Sequence, residues 1–184
     1  MAEDLKTTGI PTEVVLHPFG DIEASLLEAV RQAIEQRFHV RATKGESRNL
    51  PENFYSPLRR QGRSTALLNE LARNPSNKAI RLGIASVDLF VPELSFVFGE
   101  ASQERRVAVV SIARLDPQFY GELANSEKLF RRASTEAIHE LGHVFGLGHC
   151  ERADCVMSFS NTLAQTDRKG LEFCTRCAER IDCQ

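Results

Sequence analysis

No cysteine occurs in the first 149 residues of this 184-residue chain, and no tyrosine follows Tyr120. The first absence excludes a disulfide framework over most of the molecule. No apolar run approaches the roughly 18 residues that a membrane helix needs. The opening MAEDLKTTGIPTEVV has neither a basic nor an apolar segment, so no secretory signal is expected and a cytoplasmic location is. A formal net charge of −2 removes any global argument for nucleic acid or an anionic membrane as partner. There is no internal repeat and no low-complexity segment. Nothing in the composition speaks to oligomeric state. What remains is the profile of an ordinary globular chain long enough to bury one core.

The hydrophobic pattern is that of alternating strands and helices. EVVLH (13–17) predicts a first strand, closed by Pro18 and Gly20. DIEASLLEAVRQAIEQRF predicts an amphipathic helix with Ile22, Leu26, Val30, Ala33, Ile34 and Phe38 on one face and Asp21 as its cap. HVRAT (39–43) predicts a second strand, 44–61 a long exposed loop, and 63–73 a shorter helix ended by Asn74-Pro75. Three further strands are expected at Ala79–Leu89, Leu94–Phe98 and Arg106–Ala113. The last is the most apolar and reads as central, whereas Leu94–Phe98, hemmed by Pro92 and Gly99, reads as an edge. A helix is expected from Ser126 to Val144, and a short one near 167–173. The order suggests a mixed α/β sandwich with helices against one twisted sheet.

The stretch HELGHVFGLGHC (139–150) holds three of the chain's five histidines. Residues four apart on a helix lie about 40° apart around its axis, so His139 and His143 can face one cation about 2.0–2.1 Å from their ring nitrogens. Glu140 lies about 100° round from His139, outside that pair's direction but within reach of a metal-bound water. Gly146 can end the helix in a left-handed turn, which brings His149 back as a third ligand. Three protein ligands with one open position is the layout of a catalytic zinc, whereas structural zinc is closed by four. His17 and His39 have no such partners in sequence and read as ordinary strand-end residues.

Cys150, Cys155, Cys174 and Cys177 are spaced C-x4-C-x18-C-x2-C, two close pairs separated by a loop, which suits a four-thiolate zinc site. Cys183 reads as a free thiol. Four thiolates beside three imidazoles imply two zinc ions, one catalytic and one structural.

The run His139-Glu140-x-x-His143-x-x-Gly146-x-x-His149 resembles the metzincin metalloprotease signature, which is paired with a downstream methionine turn. Met157 is the one methionine besides Met1 and lies eight residues beyond His149. With Cys150 directly after the third histidine, C-x4-C-x-M and a later C-x-x-C, the chain resembles the archaemetzincins. Upstream, LSFVFGEAS (94–102) and RRQGRS (59–64) look like that family's edge strand and the stretch before it.

The resemblance implies a metzincin-like α/β zincin fold. Its sheet would be mixed, mostly parallel, five-stranded and twisted, with an antiparallel edge strand, packed by an active-site helix and a backing helix. The single catalytic domain (1–184) would divide into an N-terminal part, 1–146, and an irregular zinc-stabilised part, 147–184. It further implies a zinc peptidase acting on a peptide or protein substrate. His139, His143 and His149 would hold the catalytic ion, with Glu140 as general base and acid, Met157 beneath, and a second zinc on Cys150, Cys155, Cys174 and Cys177. The edge strand would pair with an extended peptide. Some metzincins place a tyrosine after the methionine, but Tyr55 and Tyr120 both precede Met157, so that role has no candidate here. The alternatives are a zinc-stabilised peptide-binding protein with little turnover, against which Glu140 speaks, and a small-amide hydrolase with the same chemistry.

Overall fold

In a computed structural model, which describes residues 13–73 and 79–182, two sheets and five helices alternate along the chain. Strand β1 (Glu13–Phe19) leads to α1 (Ala24–Phe38) and β2 (Arg41–Lys44). The small strands β3 (Tyr55–Ser56) and β4 (Gln61–Arg63) follow, then α2 (Ser64–Ala72), β5 (Ala79–Ala85) and β6 (Leu89–Phe90). A hairpin of β7 (Gly99–Ser102) and β8 (Val107–Ser111) precedes the long α3 (Ser126–Val144), and α4 (Leu163–Arg168) and α5 (Thr175–Asp182) lie in the tail. The main sheet runs β2-β1-β5-β8-β7, parallel except for β7, which is antiparallel to β8 at the edge. This is the fold class the sequence implies.

Period-two burial decides what covers each sheet face. Val14, Leu16, Ile80, Leu82, Ile84, Ala108 and Val110 point to one side and bury against Leu26, Val30 and Ile34 of α1 and Ala137, Ile138 and Leu141 of α3. Phe19, Ala85, Val107 and Val109 point to the other side and bury against Leu67, Leu68 and Leu71 of α2. Both faces are therefore covered, and that is why β5, Arg81 included, is buried at every position.

Several expectations shift. The central strand is β5, with β8 second from the edge. The edge strand starts at Gly99 rather than Leu94, while 94–98 belongs to no strand and carries an isolated bridge from Val97 to Leu89. GEAS has little intrinsic strand preference, and pairing with the apolar β8 overrides that propensity. Helix α1 begins at Ala24, with Glu23 rather than Asp21 at its cap and no side-chain cap bond. The loop 44–61 carries β3 and the start of β4, which join β6 in a second sheet. The short helix expected near 167–173 is found earlier as α4, which ends at Arg168, and α5 follows from Thr175. Helix α3 has the expected bounds, and the Asn125 side chain accepts from the Lys128 amide at 2.9 Å to cap it. Among the described residues, no helix is long and apolar enough to cross a membrane.

The tail docks by charge as well as by apolar contact. Arg132 of α3 is buried and donates to both oxygens of Asp167 in α4, at 2.7 and 2.6 Å, and to the Leu115 carbonyl at 2.9 Å. Phe38 of α1 stacks on Phe145 and meets Phe173 edge-on, which fastens the helix end and the tail to the first helix.

Candidate metal centre and cleft

Helix α3 turns its last two rounds toward an open cleft of about 440 Å³, bounded by residues 94–101 on one rim and 159–161 on the other. His139 and His143 share that face, with their Nε2 atoms 3.2 Å apart. The helix ends at Phe145, Gly146 adopts the expected left-handed conformation at φ 78°, and the chain returns with His149. The three rings stand with centroids 4.7–5.4 Å apart.

The backbone fixes which nitrogen of each helical ring faces the centre. His139 Nδ1 lies 2.8 Å from the Val156 carbonyl, and His143 Nδ1 lies 2.8 Å from the Leu147 carbonyl. A carbonyl only accepts, so each Nδ1 carries the proton and donates, and each Nε2 offers a lone pair. Burial lowers the pKa of all three imidazoles, most strongly for His139, and keeps the rings neutral. Two lone pairs facing each other at 3.2 Å repel unless a cation lies between them, so this donor set fits a metal ion. His149 is exposed and packs on Phe159 at 4.8 Å.

Glu140 points to the other side of the pair, into the cleft under β7. A Cβ built on Gly99 would stand 2.6 Å from both the Cγ and the Oε1 of Glu140, so glycine at that edge position is what admits the carboxylate. Burial pushes the Glu140 carboxyl well above the usual carboxylate range, Glu136 adds to the shift and Lys169 opposes it. Gly142, between the two helical histidines, is as tightly met from below, because a Cβ there would fall 2.3 Å from the sulfur of the buried Met157. Met157 thus packs against α3 at Gly142.

The rim itself is an unpaired strand edge. Ser111 N donates to Phe98 O at 2.8 Å, which makes Phe98 and Ser111 a hydrogen-bonded pair. By antiparallel alternation Glu100 and Ser102 then bond to β8, and Gly99 and Ala101 turn their amides and carbonyls outward.

The four cysteines converge as their spacing predicts, with sulfur atoms within 4.8 Å of one another and Cys150 Sγ 3.8 Å from Cys174 Sγ. All four are free thiols. A hydrogen bond with the Cys177 backbone lowers the Cys174 thiol to about 7, while burial raises Cys155 and Cys177. This sulfur-only cluster could hold a soft or borderline cation such as zinc. Cys183 lies outside the described residues. His17, with Nδ1 near the Glu46 carbonyl, and His39, at the end of α1, stand apart from both clusters.

A model of peptidase family M54 matches residues 47–183. The chain belongs to this family. Its relatives are the archaemetzincins. That of Thermococcus kodakarensis is 39% identical over 176 residues, covering 91% of this chain and 94% of that protein. The crystal structure of the archaemetzincin from Methanopyrus kandleri superposes with a TM-score of 0.83 at 37% identity, covering 94% of both chains. A zinc-dependent peptidase from Methanocorpusculum labreanum gives a TM-score of 0.84 at 26% identity, covering 91% of this chain and 99% of that one. As a member of the M54 family the chain is a zinc metalloprotease, and its substrates are peptides.

At the floor of the M54 cleft, which Glu136 lines, lies a polar group that the sequence does not announce. Lys169 and Glu136 pair at 3.0 Å with side-chain exposures of 0% and 3%. Thr166 donates to the same Glu136 oxygen at 2.9 Å. Glu136 precedes Glu140 by one helical turn, which is a faint sequence signal. Lys169 is 33 residues away and leaves none. Removing one partner of such a buried pair costs about 3–5 kcal/mol, because it strands the other charge.

Proposed function

We propose that this chain hydrolyses peptide bonds with a catalytic zinc held by His139, His143 and His149 and with Glu140 as general base and then general acid. The observation that carries this reading is the meeting of three neutral imidazoles and one buried carboxylate in an open cleft beside an unpaired strand edge. An extended peptide lies along β7, where the outward amides and carbonyls of Gly99 and Ala101 hold its backbone over the histidines. A zinc ion bound there would polarise the scissile carbonyl and lower the pKa of its water to about 7. Glu140 takes a proton from the attacking water as its oxygen joins the carbonyl carbon. The same carboxyl then gives that proton to the amine nitrogen as the C–N bond breaks, leaving a carboxylic acid and an amine, which exchange a proton to give carboxylate and ammonium. No tyrosine follows Met157, so no phenol assists from that side.

A second zinc on Cys150, Cys155, Cys174 and Cys177 has a structural role in this reading, as a closed four-thiolate shell leaves no position for substrate. Residues 1–146 and 147–184 then act as two parts of one catalytic domain, the first presenting the helix and the second pinned by sulfur. Metal analysis tests the scheme. Two zinc ions per chain are expected, and the histidine-held ion should leave first on dialysis against a chelator, since His149 is exposed and one coordination position is open. A single ion per chain would overturn one of the two ligand sets.

Gly99→Ala offers a geometric check. Its Cβ must displace Glu140 or the strand, and a misplacement of that order lowers kcat/KM about a hundredfold with both metals retained. Unchanged rates in that variant would separate Glu140 from the reaction.

A further inference from the structure

The rim opposite β7 has little backbone support of its own. From residue 159 to residue 162 the chain belongs to no helix or strand, yet Phe159, Ser160 and Asn161 line the cleft. At its far end the rim is tied where the Asn161 amide donates to Gln165 Oε1 at 2.7 Å. At its near end the tie is Lys169, whose ammonium lies 3.3 Å from the Ser158 carbonyl and 3.0 Å from Glu136 Oε1 on α3. One buried cation therefore bridges the backbone at the root of the rim and the helix that carries the histidines. Lys169 does not itself line the cleft. A buried ion pair is a weak source of net stability compared with apolar residues of similar volume, so its occurrence at this junction asks for a reason other than stability.

We propose that Lys169 is a positioning residue that sets the width of the substrate cleft, by holding the 159–161 rim at a fixed distance from the Glu136–Glu140 face of α3. It acts on peptide binding through Ser158 and the rim. The proposal rests on the peptidase reading for its kinetic consequence, but the rim contact can be measured without activity.

The test compares two variants of the full chain with wild type. Lys169→Met combined with Glu136→Gln removes the bridge and leaves no stranded charge, so the fold is kept. Asp167→Asn weakens the neighbouring Arg132–Asp167 attachment of α4 to α3 and leaves the Ser158 tie in place. Amide exchange is followed over 158–161, and kcat and KM are measured on the internally quenched peptide that wild type cleaves fastest from a mixed pool. The double variant is expected to exchange about tenfold faster over 158–161 and to raise KM about tenfold; kcat is not the readout, since Glu136 and Lys169 both act on the Glu140 carboxyl. Asp167→Asn is expected to lower the melting temperature without either change.

Equal rim exchange in wild type and the double variant would overturn the proposal, as would the same rise in both variants, since that would make Lys169 one of two interchangeable helix attachments. A KM equal to that of wild type would overturn it too. If wild type cleaves no peptide, the peptidase reading fails, and the exchange comparison by itself decides whether Lys169 holds the rim.

Discussion

Glu140→Gln is expected to lower kcat/KM by about a thousandfold while the zinc content stays at the wild-type value. Glutamine keeps the volume and the packing against Gly99, so the cleft is unchanged in shape. It loses the one property the mechanism uses, a carboxylate that can take a proton from water and hand it on. The two helical histidines keep their carbonyl partners, Val156 and Leu147, because neither contact involves Glu140. The loss should therefore fall on kcat with KM nearly constant, as for an interaction made only in the transition state. Initial rates on a quenched peptide together with metal analysis of the same preparation give the answer. Undiminished cleavage by this variant would remove Glu140 from the mechanism.

Cys174→Ser is expected to remove one zinc ion per chain and to lower the melting temperature by roughly 10 °C, equivalent to about 3–4 kcal/mol for a domain of this size. The size of the effect follows from what the cluster holds. Cys150 comes directly after His149, and its amide donates to the Met157 carbonyl at 2.9 Å. Val156, between Cys155 and Met157, supplies the carbonyl that orients His139. Cys174 and Cys177 bring the start of α5 onto this turn, with the Cys174 amide 3.4 Å from Cys155 Sγ. Loss of the sulfur shell thus loosens the turn beneath the histidines, and activity falls as a consequence rather than by loss of a catalytic group. Thermal melting with zinc analysis checks it, and chelator-stripped wild type should melt near the variant. Two zinc ions and a wild-type melting point in the variant would remove Cys174 from the ligands of the second ion.

Some parts of the site were legible because their geometry is local. A four-residue step on a helix always brings two side chains together, so His139 and His143 could be paired from their spacing. The turn at Gly146 needed only a residue that tolerates positive φ, and the bounds of α3 are likewise set by neighbouring residues. Other readings failed where a distant partner decides. Residues 94–98 have the composition of a strand, but the free edge is formed by GEAS, because β8 offers its hydrogen bonds to 99–102. Arg106–Ala113 is the most apolar run, yet apolarity records burial on both faces and not rank within the sheet.

By itself, then, the sequence determined which side chains can bind metal and in what groups: three imidazoles with one carboxylate, and four thiols. Ligand type, helical period and short spacings are enough for that. Only the tertiary structure decided how those groups are held and what faces them: Gly99 making room for Glu140, Met157 under Gly142, the edge of β7 as one rim, and Lys169 behind the other. Each of these joins residues far apart in the chain, where contact is set by packing and by the need to pair buried charge. Neither of those leaves a period or a spacing to read.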